Sequence, residues 1–186
     1  HSLILPFACT RIQPIFAQPF PFAMNALQIA QELVRQPSVN PLHDPHSTGE
    51  NKVVDWLEEW GHEQKLKTLR EPVLPERDNI SFTITNGQGP HLLLNGHTDT
   101  VSVAGMDIEP FNGEVREEKL WGRGSTDMKG PLACMLSTLL QLRERDDWKG
   151  SVTVGCVVDE ETEFQGILKL IEDHDPWDFA VVGEPT

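Results

Sequence analysis

Apolar positions recur at helical spacing in the first part of the chain and at strand spacing in much of the rest. In NALQIAQELVRQ (25–36), Leu27, Ile29, Leu33 and Val34 make one stripe behind Asn25, a capping residue, which predicts a helix. STGENKVVDWLEEWG (47–61) repeats the pattern with Val53, Val54, Leu57 and Trp60. Ser47 or Thr48 is its expected cap and Gly61 its expected end. NISFTIT (79–85) then alternates Ile80, Phe82 and Ile84, the period of a half-buried strand. HLLLNGHTDT (91–100) is an apolar run that breaks into polar residues, and GEVREEKLWG (113–122) reads as a surface hairpin. MKGPLACMLSTLLQLRE (128–144) predicts a long apolar helix with Gly130 and Pro131 in its first turn. SVTVGCVVDEE (151–161) predicts a buried strand, FQGILKLIEDH (164–174) a short amphipathic helix, and WDFAVVGEPT (177–186) a last strand. Strands alternating with helices from about residue 90 onward predict an α/β domain, with a mostly parallel mixed sheet covered by helices on both faces. No internal repeat interrupts this order.

Residues 1–23 do not share the patterning. They carry four prolines, no lysine and no acidic residue. The stretch reads as a disordered leader, or as sequence upstream of a start at Met24, ahead of a cleaved secretory signal: no basic segment precedes it and prolines interrupt its apolar core. The patterned domain is expected to span 24–186.

Composition narrows the class. With 186 residues, 38% hydrophobic and 24% charged, the chain describes one soluble globular domain, and no stretch reaches transmembrane length. A formal charge of −14 argues against a nucleic-acid partner, which requires clustered Lys and Arg. Cys9, Cys134 and Cys156 have no C-x-x-C spacing and read as reduced, buried thiols of a cytoplasmic protein.

The acidic residues are not spread evenly. LLLNG runs into His97 and Asp99, VTVGCVV into Asp159, Glu160 and Glu161, and FAVVG into Glu184. Ligands of open α/β sheets bind beyond the carboxyl ends of the strands, so parallel neighbours would bring these polar tips to one rim. GRGSTDMKG (122–130) adds Asp127 on a glycine turn at a helix start. Two carboxylates ~4 Å apart repel by about 4 kcal/mol at an effective dielectric near 20. Divalent cations remove that repulsion, and one histidine with several carboxylates and no cysteine suits Zn, Co or Mn. Asp127 then reads as a metal ligand, on a turn that lets the backbone pass close to the metal. Each residue also has a plain role. His97 can be a satisfied buried histidine, Asp127 a helix cap, the acidic triplet a solvated run and Glu184 a strand terminus. His97 and Asp99 at i and i+2 point the same way along a strand, so Asp99 can orient the imidazole.

GHTDTV, GRGSTDMKG, DEE and GEPT, in this order, resemble the acetylornithine deacetylase and succinyl-diaminopimelate desuccinylase family, whose relatives include carboxypeptidase G and the aminoacylases. The resemblance covers about residues 25–186 and implies a zinc-peptidase-like catalytic domain that uses two divalent metal ions, Zn ahead of Co or Mn. It implies that His97 and Glu184 bind the first metal, Glu161 the second, and Asp127 both, through a cis peptide to Met128. It makes Asp99 the residue that steers His97 and Glu160 the general base of amide hydrolysis. The expected substrate is an N-acyl amino acid or short peptide, and the expected full-length form is a cytoplasmic homodimer without membrane or nucleic-acid contacts. The family takes a further histidine ligand and a small lid domain from beyond the position of Thr186, so the chain is expected to be the first part of a catalytic domain. On its own it would bind metal weakly and turn over little or no substrate.

Three other readings compete. A dipeptidase or carboxypeptidase of the same family would use the same site. A non-catalytic metal-binding fragment leaves Glu160, which no metal needs, unexplained. A nucleotide-binding protein rests on Gly122-x-Gly124 alone, with neither the Lys-Ser/Thr of a P-loop nor a third glycine.

Overall fold

The alternation of NISFTIT becomes strand β2 (Arg77–Asn86) in a computed structural model that describes residues 24–174 and 176–185; the expected leader over 1–23 lies outside them. Strand β1 (Lys67–Leu74) precedes it, and β3 (His91–His97), β6 (Gly150–Val157) and β7 (Phe179–Val182) complete a sheet of order β1-β2-β6-β3-β7. The pairs β6–β3 and β3–β7 are parallel, whereas β1–β2 and β2–β6 are antiparallel. The sheet is therefore mixed, as expected, and β2 is the strand that runs against the other four. Between β3 and β6, β4 (Glu114–Arg116) and β5 (Lys119–Trp121) form the separate expected hairpin.

Side-chain alternation divides the sheet into two faces. Ile80, Phe82, Ile84, Val152, Val154 and Cys156 turn toward helices α1 (Ala26–Arg35), α2 (Asn51–Glu63) and α3 (Lys129–Arg143). There they meet Leu33, Leu57, Trp60, Leu132 and Leu136 in the main core, where each fully buried large apolar side chain contributes about 1.5–3 kcal/mol. Leu93 and Val157 point the other way and pack with Leu170 of α4 (Gln165–Asp173). Helices thus cover both faces, three on one and α4 on the other.

Local details depart from the sequence pattern. Asn25 caps α1 in a capping box with Gln28, but Leu27 is exposed and Ala30 takes its place in the buried stripe. Neither Ser47 nor Thr48 caps α2. Its cap position is Glu50, because the Ser47 hydroxyl is committed to the Val39 carbonyl. Gly61 lies inside α2, where a side chain would collide with the Phe82 ring, so this glycine serves close packing rather than termination. Cys156 is buried as expected, but Cys134 is exposed because its position on α3 faces outward. The last strand, β7, is an exposed edge rather than a core strand.

Candidate metal centre

Strands β3 and β6 run parallel with His97 opposite Val157, so the chain leaves both strands at the same level. Thr98 N–H donates to Val157 O at 2.8 Å, which fixes Thr98–Thr100 beside the turn from Val158 to Glu161. On the other side of β3, Gly183 N–H donates to Asn95 O at 3.2 Å and carries Glu184 toward His97. Three strand ends therefore share one rim, as their sequences predicted. Asp127 comes from the glycine turn that leads into α3. Gly122 and Gly124 hold φ values of 146° and 81°, and at Gly124 a side chain would strike Thr100 and Lys129. The Asp127–Met128 peptide is cis, as the family resemblance implied. Asp127 does not cap the helix that follows. Met128 holds the cap position without a side-chain bond, and the Asp127 carboxylate turns to His97 instead.

His97 is buried at the centre. Its Nδ1 donates to the backbone oxygen of Asp99 at 2.9 Å, and the Asp99 carboxylate stands 3.4 Å away. The orienting partner is thus first the Asp99 carbonyl, with the carboxylate behind it. That bond leaves Nε2 facing Asp127 Oδ1 at 3.0 Å, Glu160 Oε2 at 3.7 Å and Glu184 Oε2 at 3.9 Å. Two donor sets converge within 4.8 Å: His97 with Glu160 and Glu184, and His97 with Asp127 and Glu161. The floor is closed, while the carboxylates stand at an open rim, Asp127 with 49% and Glu184 with 40% of its side chain exposed. One imidazole nitrogen and four carboxylates, with no thiolate, make a donor set suited to Zn, Co or Mn.

Electrostatics show how crowded the rim is. Burial raises the pKa values of Glu160 and Glu161, and the surrounding carboxylates push them further against the attraction of His97. Burial also opposes charge on Asp99, but hydrogen bonds from His97 and Asn40 outweigh it and hold this carboxyl below its usual value. For His97 burial works downward, and the Asp99, Glu160 and Asp127 carboxylates overcome it to push the pKa up to about 9. His97 therefore stabilises the metal-free fold fully below its ordinary pKa of 6.5 and loses that contribution as pH rises through about 9. The loss amounts to at most about 3 kcal/mol. Melting temperatures measured with a chelator are expected to fall between these pH values. Excess Zn²⁺ should flatten the decline, because the cation takes the place of the proton. A flat chelated profile would mean that His97 gains no charge there.

The structure brings His97, Asp99, Asp127, Glu160, Glu161 and Glu184 together at one rim, and beneath them lies a layer that the sequence did not point to. Asn40 bonds both Asp99 and Asp159 below the rim, and Glu50, Arg77 and Thr162 brace Asp159. No short-range spacing marks Asn40, Glu50 or Arg77, since Asn40 lies 119 residues from Asp159 and Glu50 27 residues from Arg77.

Residues 93–186 match the sequence profile of Peptidase family M20/M25/M40. The succinyl-diaminopimelate desuccinylase of Bradyrhizobium sp. strain BTAi1 is 35% identical over 172 residues, covering 87% of this chain and 44% of that enzyme. The enzyme of the same name from Rhodopseudomonas palustris strain BisA53 is 36% identical over 177 residues, covering 89% of this chain and again 44% of the relative. The chain thus spans less than half the length of the curated relatives it matches. Among solved structures, the M20 family metallo-carboxypeptidase Sso-CP2 from Sulfolobus solfataricus superimposes with a TM-score of 0.74 at 18% identity, over 87% of this chain and 37% of that one. At that identity the likeness concerns the fold.

Proposed function

This chain belongs to peptidase family M20/M25/M40, and from that premise we propose that the protein carrying it hydrolyses the amide bond of N-acyl amino acids with the help of two divalent metal ions. The observation that carries the reading is the convergence of His97, Asp127, Glu160, Glu161 and Glu184 on the ends of three parallel strands and one glycine turn. Similarity to desuccinylases favours an acyl amino acid over a longer peptide.

His97 and Glu184 are assigned to one ion, Glu161 to the other and Asp127 to both. The mixed nitrogen and oxygen donors suit Zn, Co or Mn, and the family resemblance puts Zn first. When bound, the ions supply Lewis acidity to the acyl carbonyl and to water. Glu160 is the residue left free to move a proton. It takes one from the attacking water and passes it to the leaving amine, so the acyl–nitrogen bond breaks as an amine rather than an amide anion departs. Adjacent residues can divide these tasks because Asp99 accepts the backbone N–H groups of both Glu160 and Glu161, at 3.0 and 3.1 Å, and fixes where their side chains start. The family resemblance extends the proposal to a homodimer working in the cytoplasm.

The test is release of free amine from N-succinyl amino acids, N-acetyl amino acids and dipeptides by the protein carrying this chain, after chelation and reloading with Zn²⁺, Co²⁺ or Mn²⁺. Turnover restored by metal and greatest on the acyl amino acids is expected. Greater turnover on dipeptides would move the reading to a peptidase, and no turnover with any metal would sink it.

A further inference from the structure

We propose that Asn40 is a positioning residue that sets the direction of Glu160 and Glu161 by tying together the two buried carboxylates that adjoin them. The inference rests on the metal-dependent reading of the site given above.

Asp99 and Asp159 are both at least 99% buried and both adjoin the two glutamates, Asp99 through hydrogen bonds and Asp159 as their chain neighbour. Asp99 accepts the N–H groups of Glu160 and Glu161. Asp159, immediately before them, sits at φ 66° and accepts the Thr162 hydroxyl at 2.8 Å and the Phe164 N–H at 2.8 Å on its backbone oxygen. Two like charges buried this close repel one another. Asn40, itself fully buried, lies between them. Its Nδ2 donates to Asp99 Oδ2 at 2.8 Å and to Asp159 Oδ1 at 3.1 Å, with Thr162 Oγ1 at 3.2 Å. An amide nitrogen has two hydrogens, so it can serve both carboxylates at once.

The orientation of Asn40 is determined on every side. Its Oδ1 accepts Leu42 N–H at 3.1 Å, which assigns the nitrogen to the carboxylates. Its own N–H donates to Thr100 O at 2.9 Å, and its carbonyl accepts from His43 N–H at 2.8 Å. Val39 pairs with Thr100 as a parallel bridge, so the segment runs alongside the tip of β3 as a short extra strand. Behind Asp159 the load is shared by Arg77. Its Nη2 stands 2.9 Å from Asp159 Oδ1, while Nε and Nη2 both bond Glu50 at 2.7 Å. Arg77 neutralises Asp159 but does not reach Asp99 by any bond among the described residues. Asn40 is the group that connects the two.

A residue that merely stitches loops lowers the melting temperature in proportion to everything else. A positioning residue reduces metal affinity even where the metal-free fold melts normally. The experiment titrates Co²⁺ into the metal-stripped protein carrying this chain, followed by visible absorption, with the metal-free melting temperature measured on the same samples. Asn40→Ala is expected to weaken Co²⁺ binding by about 10–100-fold, the effect typical of lost partners behind metal ligands. Thr162→Val removes the hydroxyl of a partly buried member of the network, and is expected to weaken binding several-fold with an unchanged metal-free melting temperature. If Asn40→Ala does not fold, Thr162→Val decides. Wild-type Co²⁺ affinity in Thr162→Val, or in a folded Asn40→Ala, overturns the proposal and leaves the metal site standing. Failure of the unaltered protein to bind Co²⁺ overturns the metal reading as well.

Discussion

Replacement of Glu160 by alanine is expected to cut hydrolysis by the protein carrying this chain about 10²–10⁴-fold, while its metal content stays nearly unchanged. The reason lies in the division of labour at the rim. Glu160 Oε2 comes within 3.7 Å of His97 Nε2, near enough to touch whatever the ligands hold, and 28% of its side chain remains open to the cleft. His97 has other carboxylates at comparable distance, in Asp127 and Glu184, so removal of Glu160 leaves the donor set with a nitrogen and three oxygens. Proton transfer has no such reserve. Metal analysis and turnover measured on the same preparation separate the two roles. Loss of both metals together with activity would make Glu160 a ligand and require another base.

Asp127→Ala should have the opposite signature. Asp127 Oδ1 is the closest oxygen to His97 Nε2, at 3.0 Å, and belongs with Glu161 to the second donor set. A bridging carboxylate supports both ions, so its loss is expected to lower occupancy at both positions, with activity falling in step. Two metals per protein in Asp127→Ala, counted by elemental analysis after dialysis, would refute the bridge. A loss confined to one position would make Asp127 a ligand of that ion alone. Glu184→Ala offers the contrast, because Glu184 is assigned to one ion alone and its loss is expected to lower occupancy at that position only.

What the sequence made legible were features that repeat at short range. Apolar alternation located β2 and apolar runs located β3 and β6, and the abrupt change to acidic residues at the strand ends located the rim, because the same few residues both finish a buried strand and enter the site. Strand β1 was not legible. KTLREPVL mixes charged residues into every turn of its pattern, as an edge strand with solvent along one side can. Gly61 looked like a helix terminus because glycine usually acts through its backbone freedom, whereas here it acts through the absence of a side chain beside Phe82. Asn40, Glu50 and Arg77 were invisible for a different reason. Each is a single polar residue whose meaning lies in a partner 27 to 119 residues away, and a hydrogen bond of that span leaves no periodic trace.

The same spans bear on how the molecule comes together. His97 meets Asp127 across 30 residues, Asp99 meets Glu160 across 61, and Asn40 meets Asp159 across 119. Contacts of such high order form only after the intervening chain has been closed into loops, and they slow folding accordingly. None of the donor sets exists in any local fragment, and the β3–β6 crossover must pair before His97 and Glu160 share a rim. Metal ions are in this sense ligands of the finished fold rather than templates for it. Binding only the native state, they act as a latch, worth about 2.7 kcal/mol when present at a hundred times their dissociation constant.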